Sequence, residues 1–194
     1  MEVRLLLCDS ELLLNVVLKD TLMPYDNTCK FLAETYTRDI AAWLLGEPVS
    51  LVKLEPTELF LEPIRADALV LLQSTDLVLH VEFQTNPDPE MPFRMADYRL
   101  RVYRKFPRKE MNQVVIYLRR TSSPLVYETC FELAKTRYEF TVIRLWECSA
   151  RNFLAAPGLL PFAVLAQSNP IETLEQVAQQ LAKLSNRREQ SNLY

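Results

Sequence analysis

Glycine and histidine are almost missing from this chain of 194 residues. The two glycines, Gly46 and Gly158, stand far apart. That excludes a P-loop and a dinucleotide fingerprint, since both need several glycines where the backbone approaches phosphate. His80 is the sole histidine. A His-based zinc site, a Ser-His-Asp triad and a Cys-His pair are all hard to build around one imidazole. The four cysteines, Cys8, Cys29, Cys130 and Cys148, show no CxxC spacing. They read as buried thiols of a reducing cytoplasm. Long apolar runs are lacking too. Leu12-Leu13-Leu14 and Val16-Val17-Leu18 are interrupted or flanked by Asp9, Glu11, Lys19 and Asp20, short of the roughly 18–20 apolar residues of a membrane span. The expectation is a cytoplasmic protein with no membrane partner. Residues 1–24 are an N-terminal extension read as a buried or frayed strand, and Met23 is a candidate start. The hard chemistry left to the chain is carboxylate plus a hard divalent cation.

Hydrophobic residues at 49% and charged residues at 24% suit one soluble domain with a substantial core. The most informative stretch is Ala66 to Thr85, ADALVLLQSTDLVLHVEFQT. It reads as two apolar strands joined by a polar turn at Ser74-Thr75-Asp76. Asp67 and Glu82 stand where buried strands normally carry aliphatic residues. A symmetric turn sets Gln73 against Asp76, so paired residue numbers sum to 149 and Asp67 lies opposite Glu82. Directly paired side chains share one sheet face, with Cβ atoms about 4.5–5.5 Å apart. Alternation adds Gln84 to that face. Two carboxylates so close in an apolar hairpin repel unless a cation lies between them.

The surrounding pattern is mixed. Asp26, Asn27 and Thr28 offer caps for a helix with an apolar stripe of Phe31, Tyr36, Ile40, Trp43 and Leu44, ended by Gly46 and Pro48. Glu34 lies off that stripe and reads as a solvated surface residue. Pro48 to Pro63 predicts a loop with a short edge strand near Leu59-Phe60-Leu61. Phe93 to Phe106 is helical, with Met95, Ala96, Val102, Tyr103 and Phe106 on one side. Arg94, Tyr98, Arg101, Lys105 and Arg108 recur at three- and four-residue steps on another. Between Arg94 and Lys109 seven basic residues meet one acid, a local +6 in a chain of net charge −3. Basic residues interleaved with tyrosine suit phosphate contact. Val114 to Leu118 reads as a central buried strand, and Leu125 to Leu133 and Tyr138 to Trp146 as strands around Ala134-Lys135-Thr136. Asn169-Pro170-Ile171-Glu172 looks like an N-cap, a first-turn proline and a capping-box acid. Ile171, Leu174, Val177, Leu181 and Leu184 then form a stripe that must fold back on the sheet or make a homodimer.

Helix, edge strand, hairpin, helix, strand, in that order, resembles the core of the PD-(D/E)XK nuclease superfamily. The segments DNTCKFLAETY, RADALVLLQ, HVEFQT, PFRMADYRLRVYRKFP and QVVIYL resemble the bacterial recombination-promoting nuclease and transposase-like family, from about Tyr25 to the end of the chain. The resemblance implies an α/β fold: an α-β-β-β-α-β mixed sheet flanked by helices, with extra strands and C-terminal helices. Its core would span 25–156 and a helical C-terminal segment 157–194. It implies a Mg²⁺-dependent (or Mn²⁺-dependent) DNA endonuclease, with Glu34, Asp67, Glu82 and Gln84 as catalytic positions and DNA as partner. Asp67 and Glu82 would hold the metal. Arg94, Tyr98, Arg101 and Lys105 would bind DNA phosphates. His80 shares the Glu82 face, where a structural role is the simpler reading. Three departures stand out. Ala66 replaces the motif's proline, and relatives commonly continue past the NRREQSN segment. Gln84 replaces its lysine, and an amide orients water but cannot neutralise developing charge, which Arg101 or Lys105 would supply. The alternative expectation is a catalytically reduced nuclease fold serving as a DNA-binding or protein-interaction module.

Overall fold

The computed structural model describes residues 25–54 and 69–183. The expectations for residues 1–24, for the edge strand at 59–61, for Asp67 itself and for Leu184 onward lie outside the described residues. What is described is a mixed α/β fold built on a five-stranded sheet.

Helices α1 (Tyr25–Thr35) and α2 (Thr37–Leu45) replace the single helix expected from capping signals. The chain breaks at Tyr36, with φ −110° and ψ 49°. At this break a residue far away in sequence makes contact: Gly158 packs against Tyr36, and its N–H donates to Asp39 Oδ2 at 2.8 Å. Gly46 closes α2 in the left-handed conformation at φ 81°, as its position after an apolar stripe implies. Cys29, Leu32, Ala33, Ile40 and Ala41 face the core, whereas Phe31 is exposed.

Strands β1 (Val52–Lys53), β2 (Leu69–Gln73) and β3 (Leu77–Gln84) form an antiparallel meander. Helix α3 (Met91–Lys105) then crosses to β4 (Glu110–Tyr117), which lies parallel to β3. After a 3₁₀ turn at Pro124–Tyr127 come β5 (Cys130–Leu133), β6 (Thr136–Glu139) and β7 (Thr141–Arg144). β7 joins the edge of the main sheet parallel to β4, giving the order β1-β2-β3-β4-β7, while β5 and β6 make a separate hairpin. The run from Tyr138 to Trp146, expected as one strand, is therefore divided between two sheets at Phe140. The short helix α4 (Leu160–Ala163) and α5 (Pro170–Ala182) complete the described chain.

The sheet divides the core in two. On one face Val70, Leu72, Leu79, Val81, Phe83, Val114 and Ile116 pack under α1, α2 and α4. Phe162 from α4 stacks on Phe83 at 5.8 Å. Asn169 caps α5 by accepting from Ile171 N–H, as expected. The helix folds back onto this core through Val177 and Leu181, but Ile171 is 72% exposed. On the other face Leu71, Val78, Val115 and Tyr117 pack under Met91, Met95, Tyr98 and Val102 of α3. That second face also carries His80, Glu82 and Gln113, three of the four buried polar or charged residues among those described.

The hairpin register differs from the symmetric expectation. Ser74 N–H donates to Leu77 C=O at 2.9 Å, so the turn is the two-residue Thr75-Asp76. Gln73 pairs with Val78, paired numbers sum to 151, and the partner of Glu82 is Leu69, not Asp67. A slip of two leaves face assignments unchanged, because the side-chain period is two. Glu82 accordingly stays on the α3 face. Cys29 is buried as expected, but Cys130 and Cys148 are half-buried free thiols.

Candidate functional site

Glu82 sits near the C-terminal end of β3, only 3% exposed. Strand alternation aims it at α3, and the helix covers it because Met91, Met95 and Tyr98 need the same face. Its two oxygens are loosely held. Oε1 lies 3.6 Å from His80 Nε2 and 3.8 Å from Arg94 Nε, and Gln84 Nε2 approaches Oε2 at 3.5 Å. All three exceed the usual length of a charge-assisted hydrogen bond. A buried carboxylate so poorly satisfied carries a desolvation cost that close partners would normally offset.

The α3 residues at Arg94, Tyr98 and Arg101 line the inner side of the helix instead of forming a solvated basic face. Arg94 bridges Glu82 and Asp88, its Nη2 3.2 Å from Asp88 Oδ2. Tyr98 is 2% exposed and meets the His80 ring edge-on at 4.9 Å. At that position it packs on the sheet beside Leu71 and Val78. Burial first, then the negative charge of Glu82, pushes its hydroxyl well above the ordinary tyrosine range. Arg101 pairs with Asp97 at 2.7 Å. Nε and Nη1 of Arg101, Nε of Arg94 and Nε2 of His80 are buried without a hydrogen-bond partner among the described residues. Lys105 lies over the Phe106 ring at 5.3 Å on the last turn of α3.

Behind Glu82, Gln113 of β4 links three elements. Its Nε2 lies 2.8 Å from His80 Nδ1 and donates to Met95 C=O at 2.9 Å, while its Oε1 accepts from the Tyr138 hydroxyl.

Of the acids on α1, Glu34 is matched to Lys53 Nζ on β1 at 3.4 Å. Asp26, in the first turn of the helix, takes a different position. It accepts from the Thr85 hydroxyl at 2.7 Å, immediately after β3. Burial raises its pKa above the ordinary value, the Thr85 hydrogen bonds oppose this, and the charge of Glu82 adds to it. Asp26 is thus the α1 acid electrostatically coupled to Glu82. In sequence it looks only like a cap, and no local signal announces a partner 59 residues on.

No protein family, curated protein or solved structure matches this chain. Among the described residues no three His, Cys, Asp or Glu side chains gather in a group able to hold a metal ion. No described helix is long and apolar enough to cross a membrane. What the site offers chemically is therefore read from its side chains: one buried carboxylate without a close partner, an adjacent amide in Gln84, a second acid in Asp26 that feels its charge, and guanidinium N–H groups without acceptors among the described residues.

Proposed function

We propose that this chain is a divalent-cation-dependent DNA endonuclease of the PD-(D/E)XK type, hydrolysing phosphodiester bonds at a centre built on Glu82. The observation that carries the reading is Glu82 itself: 3% exposed, with no polar side-chain partner closer than 3.5 Å among the described residues. Oxygen donors on a buried strand suit a hard cation. Among the described residues the elements run α1, α2, β1, β2, β3, α3, β4, and this order supports the resemblance apart from the second helix.

Glu82 and Asp67 would hold Mg²⁺ or Mn²⁺, which when bound supplies Lewis-acid polarisation of the scissile phosphate. Gln84, half-buried at the strand end, orients the attacking water by hydrogen bonding. The positive charges of Arg94 and Arg101 on α3, continued by Lys105 on its last turn, would attract the phosphate backbone. Asp26, held by Thr85, accepts or orders the water proton in the role that the resemblance gives to Glu34. Supercoiled plasmid incubated with the protein tests this directly. Nicked or linear product with Mg²⁺ or Mn²⁺, and none with EDTA, is expected. DNA retention without product under either condition would replace the nuclease reading with that of a binding module.

A further inference from the structure

His80 plays no part in that chemistry, yet it is fully buried one alternation from Glu82 on the same strand face. A buried imidazole has two nitrogens to satisfy, and here each has a distinct environment. The Gln113 amide fixes one of them. Its Nε2 donates to the Met95 carbonyl, which can only accept, and its Oε1 receives the Tyr138 hydroxyl. The amide orientation is thereby set, and the second Nε2 hydrogen is directed to His80 Nδ1 at 2.8 Å. Nδ1 must be the acceptor, so the ring proton resides on Nε2. That proton has no hydrogen-bond partner among the described residues, and the carboxylate within reach is Glu82 Oε1 at 3.6 Å. The Tyr98 ring, edge-on at 4.9 Å, confines the imidazole plane.

We propose that His80 is the positioning residue of Glu82. Tyr138, Gln113 and Met95 lock the imidazole tautomer so that Nε2–H faces Oε1 at 3.6 Å and orients it, leaving Oε2, whose one amide contact to Gln84 Nε2 is 3.5 Å long, as the oxygen that receives a cation. The proposal rests on the reading of Glu82 as the cation-holding residue. Partners standing behind a metal ligand typically account for about 10–100-fold in metal affinity.

Because the chain has a single histidine, a two-bond ¹H–¹⁵N spectrum of the labelled full-length protein shows one imidazole and needs no assignment by mutation. A proton-bearing Nε2 and a bare Nδ1 are expected, and a proton on Nδ1 overturns the proposal. Calorimetric titration with Mn²⁺ supplies the second arm. His80→Gln places an amide N–H near the position of Nε2 and keeps a donor for Glu82. His80→Asn places an amide oxygen near Nδ1, retaining an acceptor for Gln113 but no donor for Glu82. Wild-type affinity in the Gln variant with about 10–100-fold weaker binding in the Asn variant is expected. Equal affinity in all three proteins, or equal loss in both variants, overturns the positioning role. A wild-type chain that takes up no Mn²⁺ overturns the Glu82 reading itself and the His80 role with it. The spectrum decides the tautomer even where a variant does not fold.

Discussion

Replacing Glu82 by glutamine should make the metal-free protein more stable. The substitution preserves shape and leaves an acceptor oxygen for His80 Nε2–H, but removes a charge from a site that is 3% exposed. Effective desolvation of a buried ion costs several kcal/mol. Opposing it is attraction to Arg94 at 3.8 Å, about 4 kcal/mol at an effective dielectric of 20. That attraction is diluted twice: the Arg94 side chain is 25% exposed, and it already reaches Asp88 at 3.2 Å. Loss of Glu82 therefore leaves no stranded guanidinium, and the negative charge coupled to Asp26 disappears as well. The expected net effect is stabilisation by about 1–2 kcal/mol. For a chain of this size each kcal/mol is worth about 2–4 °C in Tm. Urea and thermal unfolding in EDTA, followed by circular dichroism, measure it. Adding Mn²⁺ should invert the order. At a hundred times its Kd the cation stabilises wild type by about 2.7 kcal/mol and the Gln variant not at all. A loss of about 1 kcal/mol or more in the EDTA-treated variant would show instead that Glu82 is a well-held structural ion.

Three further outcomes are expected. Gly158→Ala would set a Cβ 2.9 Å from Asp39 Oδ2 and closer still to Tyr36, so urea unfolding should register a loss of about 1–3 kcal/mol or more. Asp26→Asn should stabilise the protein only where wild-type Asp26 is ionised. Burial raises the folded-state pKa, so the wild-type group is most favourable at low pH and loses stability as pH rises from its ordinary to its raised value; variant and wild-type stability curves should meet in acid and diverge above that window, and parallel curves would contradict this. Removing charge at both Arg101 and Lys105 should flatten the salt dependence of DNA binding by roughly 0.9 for each phosphate that the variant no longer neutralises, and an unchanged slope would place the nucleic-acid surface elsewhere.

The legible parts of the fold are those set by local pattern. The alternation of β3, the apolar run of β4, the Gly46 stop and the Asn169 cap all follow from spacing and stereochemistry. The register of the hairpin does not. Gln73-Ser74-Thr75-Asp76-Leu77 contains no Asn-Gly or similar pair to mark its central residues. Two-residue turns at Ser74-Thr75 and at Thr75-Asp76 therefore read alike, although they differ in which residue faces Glu82. The inner side of the basic helix is hidden for another reason. The spacing that places Arg94, Tyr98 and Arg101 on one face is also the spacing of a sheet-facing stripe, and arginine stems bury readily while their heads seek a polar partner. Charge density locates the helix but not the side it turns to the sheet. The break at Tyr36 and the placement of Asp26 are accompanied by contacts to Gly158 and Thr85, to which local periodicity is blind. Cys130 lies on the small hairpin, off the central sheet, and Cys148, beyond β7, packs only at the margin of the core, so both are half-buried.

Glu82 is the proposed anchor of a cation-dependent phosphodiesterase centre. The most direct test of that role is cleavage of plasmid DNA by wild type and by Glu82→Ala, purified identically and assayed side by side at saturating Mn²⁺. Product is expected with wild type and none with the variant, while the variant binds DNA as well or more tightly, because removing a carboxylate lessens repulsion from phosphate. Equal cleavage by the two proteins would contradict that role.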